Sequence, residues 1–447
     1  MKHLTIALLL WASAFTLAAS AATLANTPEQ APLPAPSSRA QTLYTAASDD
    51  LLQIRVLLKN GRTQSSVGSG FLIGNSNLVV TNYHVISQIV MNPETYVGEY
   101  VDTHKVRGNI KLIAVDALHD LAVVSINRTG SGHFNVPEQL PTLTQGQYLY
   151  SLGNPLDLGF AISEGAYNGI IRRGFYNQLL FTGPINAGMS GGPAITQDGH
   201  VAGVNVSKRL DGELVSFLVP VEFVRNLLAK ATNQPSLDFK KTVGQQLLAH
   251  QATMINTVLA EPFALKTLGD YQVPVRESEQ MRCWGRSRDN KESPYDFSSV
   301  DCAMESAIFV SDKLQVGQIS IRHEYLKAIN MGALRFSTLQ STSFKNEQFG
   351  NDKDTSRTAP MCNEHFVSNG NLPLRAVLCV RAYREFDNLY DFSLITATTN
   401  SSRISLQSRL DANGVNYENG LRMVSAFLNS IGQKSVQAKP VTRKAKP

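Results

Sequence analysis

No cysteine occurs before residue 283 of this 447-residue chain, so its first 282 residues hold no disulfide. The four cysteines that follow, Cys283, Cys302, Cys362 and Cys379, show no C-x-x-C spacing, which argues against zinc; no metal or other cofactor is expected. After the N-terminal stretch, no segment approaches the ~20 apolar residues that a bilayer span requires. A basic face is also lacking. The formal net charge is +5, and residues 434–447 alone carry Lys434, Lys439, Arg443, Lys444 and Lys446 with no acid, so the rest of the chain is near neutral. With no basic–aromatic module, nucleic acid is not an expected partner.

What is present is ordinary globular composition, 43% hydrophobic and 17% charged, on a chain long enough for two or three domains. Lys2 and His3 precede an apolar run from Leu4 to Ala18, and Ala19-Ser20-Ala21 offers a small-residue cleavage site. Residues 1–21 therefore read as a secretory signal peptide, and the mature chain is expected in the periplasm or outside the cell. The cysteines suit such a compartment. Of their three connectivities, Cys283–Cys302 with Cys362–Cys379 is preferred. Residues 22–40, rich in Pro, Ala and Ser, read as a flexible linker. A first folded domain is expected over 41–232, a second over 240–433, and a basic tail over 434–447.

The first domain carries three notable stretches. Asn186-Ala187-Gly188-Met189-Ser190-Gly191-Gly192-Pro193 surrounds a serine with residues that permit tight turns. Such a turn can aim the N–H groups of Gly188 and Ser190 at the point where an oxyanion develops, with Ser190 Oγ as nucleophile. Leu78-Val79-Val80-Thr81-Asn82 reads as a strand running into Tyr83-His84-Val85-Ile86, which puts His84 at a strand end. Asp120 opens the apolar run Leu121 to Ile126, where a buried carboxylate needs a partner, and His84 Nδ1–H is the expected one. Asp116 competes for that role, although an Asp at a strand end more often closes a turn. His84, Asp120 and Ser190 are spaced by 36 and 70 residues. Two six-stranded barrels would bring them together at their seam. The G-x-S-x-G elbow and Ser…Asp…His order of α/β-hydrolases are absent.

Together with Gly153-Asn154-Pro155, these stretches resemble the trypsin-like serine endopeptidases, and within them the bacterial periplasmic high-temperature-requirement (Deg-type) branch. The resemblance covers about residues 48–230. It implies an all-β double six-stranded barrel and acyl-enzyme hydrolysis of peptide bonds, with His84 as base, Asp120 as orienting acid, Ser190 as nucleophile, and the N–H groups of Gly188 and Ser190 as oxyanion donors. Met189 stands where the family usually has a polar residue, and no Ile/Val-Gly-Gly activation sequence occurs. Ile185, Gly203, Val204 and Asn205 are expected to wall the substrate pocket. With no acid between Thr182 and Ser190, small or medium apolar P1 residues are expected.

The second half reads as a compact α+β domain with two disulfides. Helices are expected over Val243 to Leu259 and Glu418 to Leu428. Hairpins are expected from Ala307–Val310 with Val316–Ile321, and from Leu374–Ala382 with Tyr390–Ala397. No Gly-rich carboxylate-binding loop of the PDZ kind is evident. The expected function is an exported serine endopeptidase acting on protein or peptide substrates, with a C-terminal domain that binds a protein partner or substrate. The alternative is a non-catalytic or chaperone-like binding protein on a protease scaffold.

Overall fold

The computed structural model describes residues 37–139, 142–208, 214–233, 238–288, 292–344 and 354–434. The expected signal peptide, most of the expected linker and all but Lys434 of the basic tail lie outside the described residues. Among the described residues, no helix is long and apolar enough to cross a membrane.

The linker expected to reach residue 40 stops earlier, because helix α1 begins at Ser38 and runs to Ala47. Ala40, Leu43 and Ala47 fall on one helical face and are buried in a core with Tyr150, Val201 and Val224.

Strands β1 (Leu51–Leu58), β2 (Gln64–Leu72), β3 (Leu78–Thr81), β4 (Tyr96–Asp102), β5 (Arg107–Asn109), β6 (Lys111–Asp116) and β7 (Leu121–Ser125) form one antiparallel sheet in the order β5-β4-β1-β2-β3-β7-β6. This is seven strands where the sequence suggests a six-stranded barrel. The extra strand arises because residues 107–116 break at Ile110, and the two pieces fall on opposite edges of the sheet. A single residue joins those edges, so the sheet must roll over on itself. The second unit is a closed six-stranded barrel of β8 (Tyr148–Gly153), β9 (Ala161–Ile171), β10 (Gln178–Phe181), β11 (Pro193–Thr196), β12 (Val201–Lys208) and β13 (Ser216–Pro220). Tyr83-His84-Val85-Ile86 does not extend a strand. It opens helix α2 (Tyr83–Met91), which buries Tyr83, Ile86 and Val90 at helical spacing.

Helices α3 (Val221–Asn233) and α4 (Phe239–Val258) lead into the second half. Its main element is a seven-stranded antiparallel sheet, ordered Met281–Arg288, Tyr295–Met304, Gln318–Ala328, Ile404–Val415, Tyr390–Thr398, Leu372–Ala382 and Met361–Asn369. Helices α5 (Ala333–Ser343) and α6 (Tyr417–Asn429) accompany it. Leu374–Ala382 pairs with Tyr390–Ala397 as expected. The other hairpin differs, since Ile308–Ser311 pairs with Leu314–Val316 in a small sheet of its own. The chain then turns at Gly317 (φ +77°), and Gln318 onward joins the large sheet.

Cys283–Cys302 and Cys362–Cys379 are the two disulfides. Each joins residues directly opposite on neighbouring strands, and each ties an edge strand of the large sheet to the strand beside it. Those edge strands bury few side chains, so the covalent link replaces packing they lack. Replacing Cys283 and Cys302 with alanine is expected to cost about 2–4 kcal/mol. Hydrogen exchange should accelerate along Met281–Arg288 and stay slow along the central Ile404–Val415. Equal acceleration across the sheet would show that the bridge supports the whole sheet rather than its edge.

From Ser38 onward the chain is one compact unit. One core combines Leu52, Ile54, Tyr83 and Ile86 of the first half with Leu247, Ile308, Val310, Leu314, Tyr383 and Phe386 of the second.

Candidate active site

Asp120 sits in the turn between β6 and β7 with φ +54°, a left-handed conformation that Asp tolerates better than most side chains. That turn aims its carboxylate at the first turn of α2. Oδ1 accepts the His84 backbone N–H at 2.8 Å, and Oδ2 lies 2.6 Å from His84 Nδ1. The Asp120 carbonyl accepts from the Tyr83 N–H and from Asn82 Nδ2. The carboxylate thus satisfies an otherwise unpaired donor at a helix N-terminus and fixes the imidazole with one group. Asp116 does something else: its carboxylate accepts from the His119 N–H (3.2 Å) and pairs with His119 Nδ1 (2.7 Å), closing the turn.

Burial disfavours the charged form of His84, but the Asp120 charge, its hydrogen bond and the charge of Asp312 outweigh that. The imidazole is therefore held above its ordinary value of 6.5.

The Ser190 loop lies against the same corner. A methyl group at Gly68 would meet both a Val85 side-chain carbon (2.5 Å) and the Ser190 carbonyl (3.0 Å). The loop carbonyls are engaged: Ala187 accepts from Leu156 N–H, Gly188 from the Ser69 hydroxyl, Met189 from Gly192 N–H, and Ser190 from Ser69 N–H. Among the described residues, no hydrogen bond occupies the N–H groups of Gly188 or Ser190. The Ser190 hydroxyl donates to the Val206 carbonyl at 3.0 Å, and no hydrogen bond joins it to His84.

Met189 is buried in the second barrel beside Phe181, Ile185 and Leu218, where it anchors the loop. The substrate-pocket expectations lead into the interior. Ile185 lies within that barrel core, Val204 lies in the core containing Phe71 and Val80, and Gly203 pairs across strands with Ala194 and Pro220. Asn205 is fully buried. Its amide donates to the Leu152 and Met189 carbonyls and accepts from the Ser151 hydroxyl.

Ser69 escaped the sequence reading. Its hydroxyl donates to the Gly188 carbonyl (2.7 Å) and accepts from the Asn154 N–H (2.9 Å), so it ties the serine loop to the Gly153-Asn154-Pro155 turn. The run of small residues from Ser66 to Gly70 was the available signal, because only a slim strand can pass beneath the loop. Gly191 is the tightest joint there. At φ +87°, a Cβ would lie 2.2 Å from the Ser69 carbonyl oxygen and 2.5 Å from Thr81 Oγ1. Gly191→Ala is expected to destabilise the fold by about 1–3 kcal/mol and to displace Ser190. Thermal unfolding and the Ser190 labelling rate would check it, and a wild-type value for both would refute it.

A separate cavity of about 370 Å³ lies between loop residues 173–176 and the second half, lined by Phe175, Tyr176, Phe217 and His250. None of the expected site residues lines it.

Residues 68–204 match the trypsin-like peptidase domain, and His84, Asp120 and Ser190 all lie within that span. The likeness is of the HtrA type. The chain is 30% identical over 179 residues to serine protease HTRA2, mitochondrial, of Drosophila persimilis, covering 38% of this chain and 40% of that protein. It is 29% identical over 178 residues to serine protease HTRA1 of Xenopus tropicalis, covering 38% and 37%. Among solved structures it is similar to the serine endoprotease from Yersinia pestis (23% identity, 45% of this chain, 68% of that chain, TM-score 0.39) and to Deg5 (24%, 43%, 93%, 0.35). The chain spans about two fifths of the length of the curated relatives it matches.

Proposed function

We propose that this chain is an exported serine endopeptidase that hydrolyses peptide bonds through an acyl-enzyme intermediate. The observation that carries the reading is the His84 Nδ1–Asp120 Oδ2 contact of 2.6 Å, set in the corner where the Ser190 loop packs. The Ser190 hydroxyl leaves the Val206 carbonyl, a local exchange worth about 1 kcal/mol, and its oxygen attacks the substrate carbonyl carbon. His84 Nε2 takes the proton, and Asp120 offsets the charge on the imidazolium. The N–H groups of Gly188 and Ser190 receive the oxyanion. Collapse of the tetrahedral intermediate breaks the C–N bond, and the amine leaves with the proton from His84. Water, deprotonated by the same imidazole, then releases the acid and restores Ser190.

His84 must be neutral to act as base, and its pKa lies above 6.5. The acid limb of kcat/KM should therefore lie above pH 6.5. The acid-free stretch from Thr182 to Ser190 supports small or medium apolar P1 residues. The N-terminal apolar run and the disulfides of the second half support export.

The test is fluorophosphonate labelling of the purified chain beside Ser190→Ala, read by intact mass. One adduct on the wild type alone is the expected result. No adduct on either would favour a non-catalytic binding protein on this scaffold.

A further inference from the structure

The hairpin of Ile308–Ser311 and Leu314–Val316 belongs to the second half by sequence, yet it packs against α2. Its inward face, Ile308, Val310, Leu314 and Val316, is buried in the core shared with Tyr83, Ile86 and Val90. The buried Tyr83 hydroxyl donates to the Val310 carbonyl at 2.9 Å, and Gln88 Nε2 donates to Asp312 Oδ2 at 3.0 Å. The hairpin is therefore fixed to the helix at its middle and at its tip. Phe309, between Ile308 and Val310, is partly buried against the same core. Its ring meets the Tyr83 ring at 6.4 Å and the His84 ring at 6.0 Å, both edge to face.

We infer that this hairpin is a positioning element of the catalytic site, with Phe309 setting the orientation of the His84 ring and Asp312 adding to the negative field around it. The inference rests on the peptidase reading above. Asp120 alone holds Nδ1, which leaves the ring free to tilt about that contact, and an edge-to-face neighbour removes the freedom. A cationic ring is also favoured near an aromatic face, so Phe309 acts most strongly when His84 holds the proton. The charged groups whose fields bear on His84 are Asp120 from the β6–β7 turn and Asp312 from the hairpin. Lys313 adjoins Asp312 at the exposed tip, and Tyr83 adjoins His84 on α2 itself.

Four variants of the full chain test this: Phe309→Ala, Phe309→Tyr, Asp312→Asn and Asp312→Glu. Phe309→Ala is expected to lower kcat and the Ser190 labelling rate by roughly tenfold to a hundredfold with KM little changed, since a ~1 Å misplacement costs on the order of 10²-fold. Phe309→Tyr, which keeps the ring, should recover most of the loss. Asp312→Asn removes a negative charge and lowers the His84 pKa, so the acid limb of kcat/KM should move to lower pH; Asp312→Glu should return it. Asp312 is exposed, and both Asn and Glu keep a side-chain oxygen that can accept from Gln88 Nε2, so the two Asp312 substitutions leave the hairpin fastened at its tip. Wild-type labelling in Phe309→Ala together with an unmoved acid limb in Asp312→Asn would overturn the inference. Should the wild type itself fail to label, the peptidase reading falls instead. The hairpin is then judged by NMR titration of the His84 ring, where an unchanged pKa in Asp312→Asn and unchanged ring resonances in Phe309→Ala would overturn it.

Discussion

Ser190→Ala is expected to lower kcat by roughly 10⁶, leaving only the ~10³–10⁴ over water that binding and oxyanion donors supply. Its effect on stability should be small. The hydroxyl makes one hydrogen bond, to the Val206 carbonyl, worth about 1 kcal/mol. His84→Ala should match it in rate. Asp120→Ala should reverse the balance. Its rate loss is expected to be smaller, on the order of 10⁴, but its cost to folding larger. The carboxylate holds both the His84 N–H at the start of α2 and the imidazole, and the residue occupies a left-handed conformation that alanine disfavours. Combining Ser190→Ala with His84→Ala should add nothing to the rate loss, because the groups act as a unit. Thermal unfolding and kcat for the series check all of this. Retained turnover in Ser190→Ala would end the nucleophile assignment, and an Asp120→Ala chain as stable as Ser190→Ala would end the capping argument.

The second large effect concerns the boundary near residue 238. A chain ending at Asp238 keeps every residue of the proposed triad, yet it is not expected to fold. Its first sheet would lose Leu247, Ile308, Val310, Leu314, Val316, Tyr383, Phe386 and Leu389 from a core in which Leu52, Ile54, Tyr83 and Ile86 are fully buried. Covering an apolar side chain is worth about 1.5–3 kcal/mol, and a whole domain is stable by only about 5–15 kcal/mol. The truncated chain should be insoluble, or bind a hydrophobic dye and melt without a cooperative transition. A sharp melt with Ser190 labelling at the full-chain rate would show that the two halves are independent after all.

The proposed site was largely legible because its chemistry is local. A serine among glycines, a histidine at a strand end and an aspartate at a strand start each carry their signal within a few residues. Helices α4 and α6 were legible from periodicity, and the pairing of Leu374–Ala382 with Tyr390–Ala397 from two apolar runs close in sequence. What escaped depends on contacts distant in sequence. Ser69 looks like strand filler until the serine loop lies over it. Nothing near residue 309 indicates that its side chain meets a histidine 225 positions earlier. The helix at Tyr83 was hidden by the apolar strand before it, and β5 by the short, polar run Arg107-Gly108-Asn109 that forms it. Asn205 was expected at the pocket wall; its amide donates to the Leu152 and Met189 carbonyls, contacts that join strands distant in sequence.

The hydrogen bond from Tyr83 to Val310 closes a loop of 227 residues. Contacts of that span form late, because chain entropy must be lost before they contribute. The half of the protein made first therefore waits for the half made last, and folding one domain at a time during synthesis is not open to this chain. A newly made chain would carry Ser190, His84 and Asp120 for some time before the hairpin beside the histidine arrives. The same long connection that slows assembly thus acts as a timer, leaving the corner around His84 incomplete until residues 308–316 are in place.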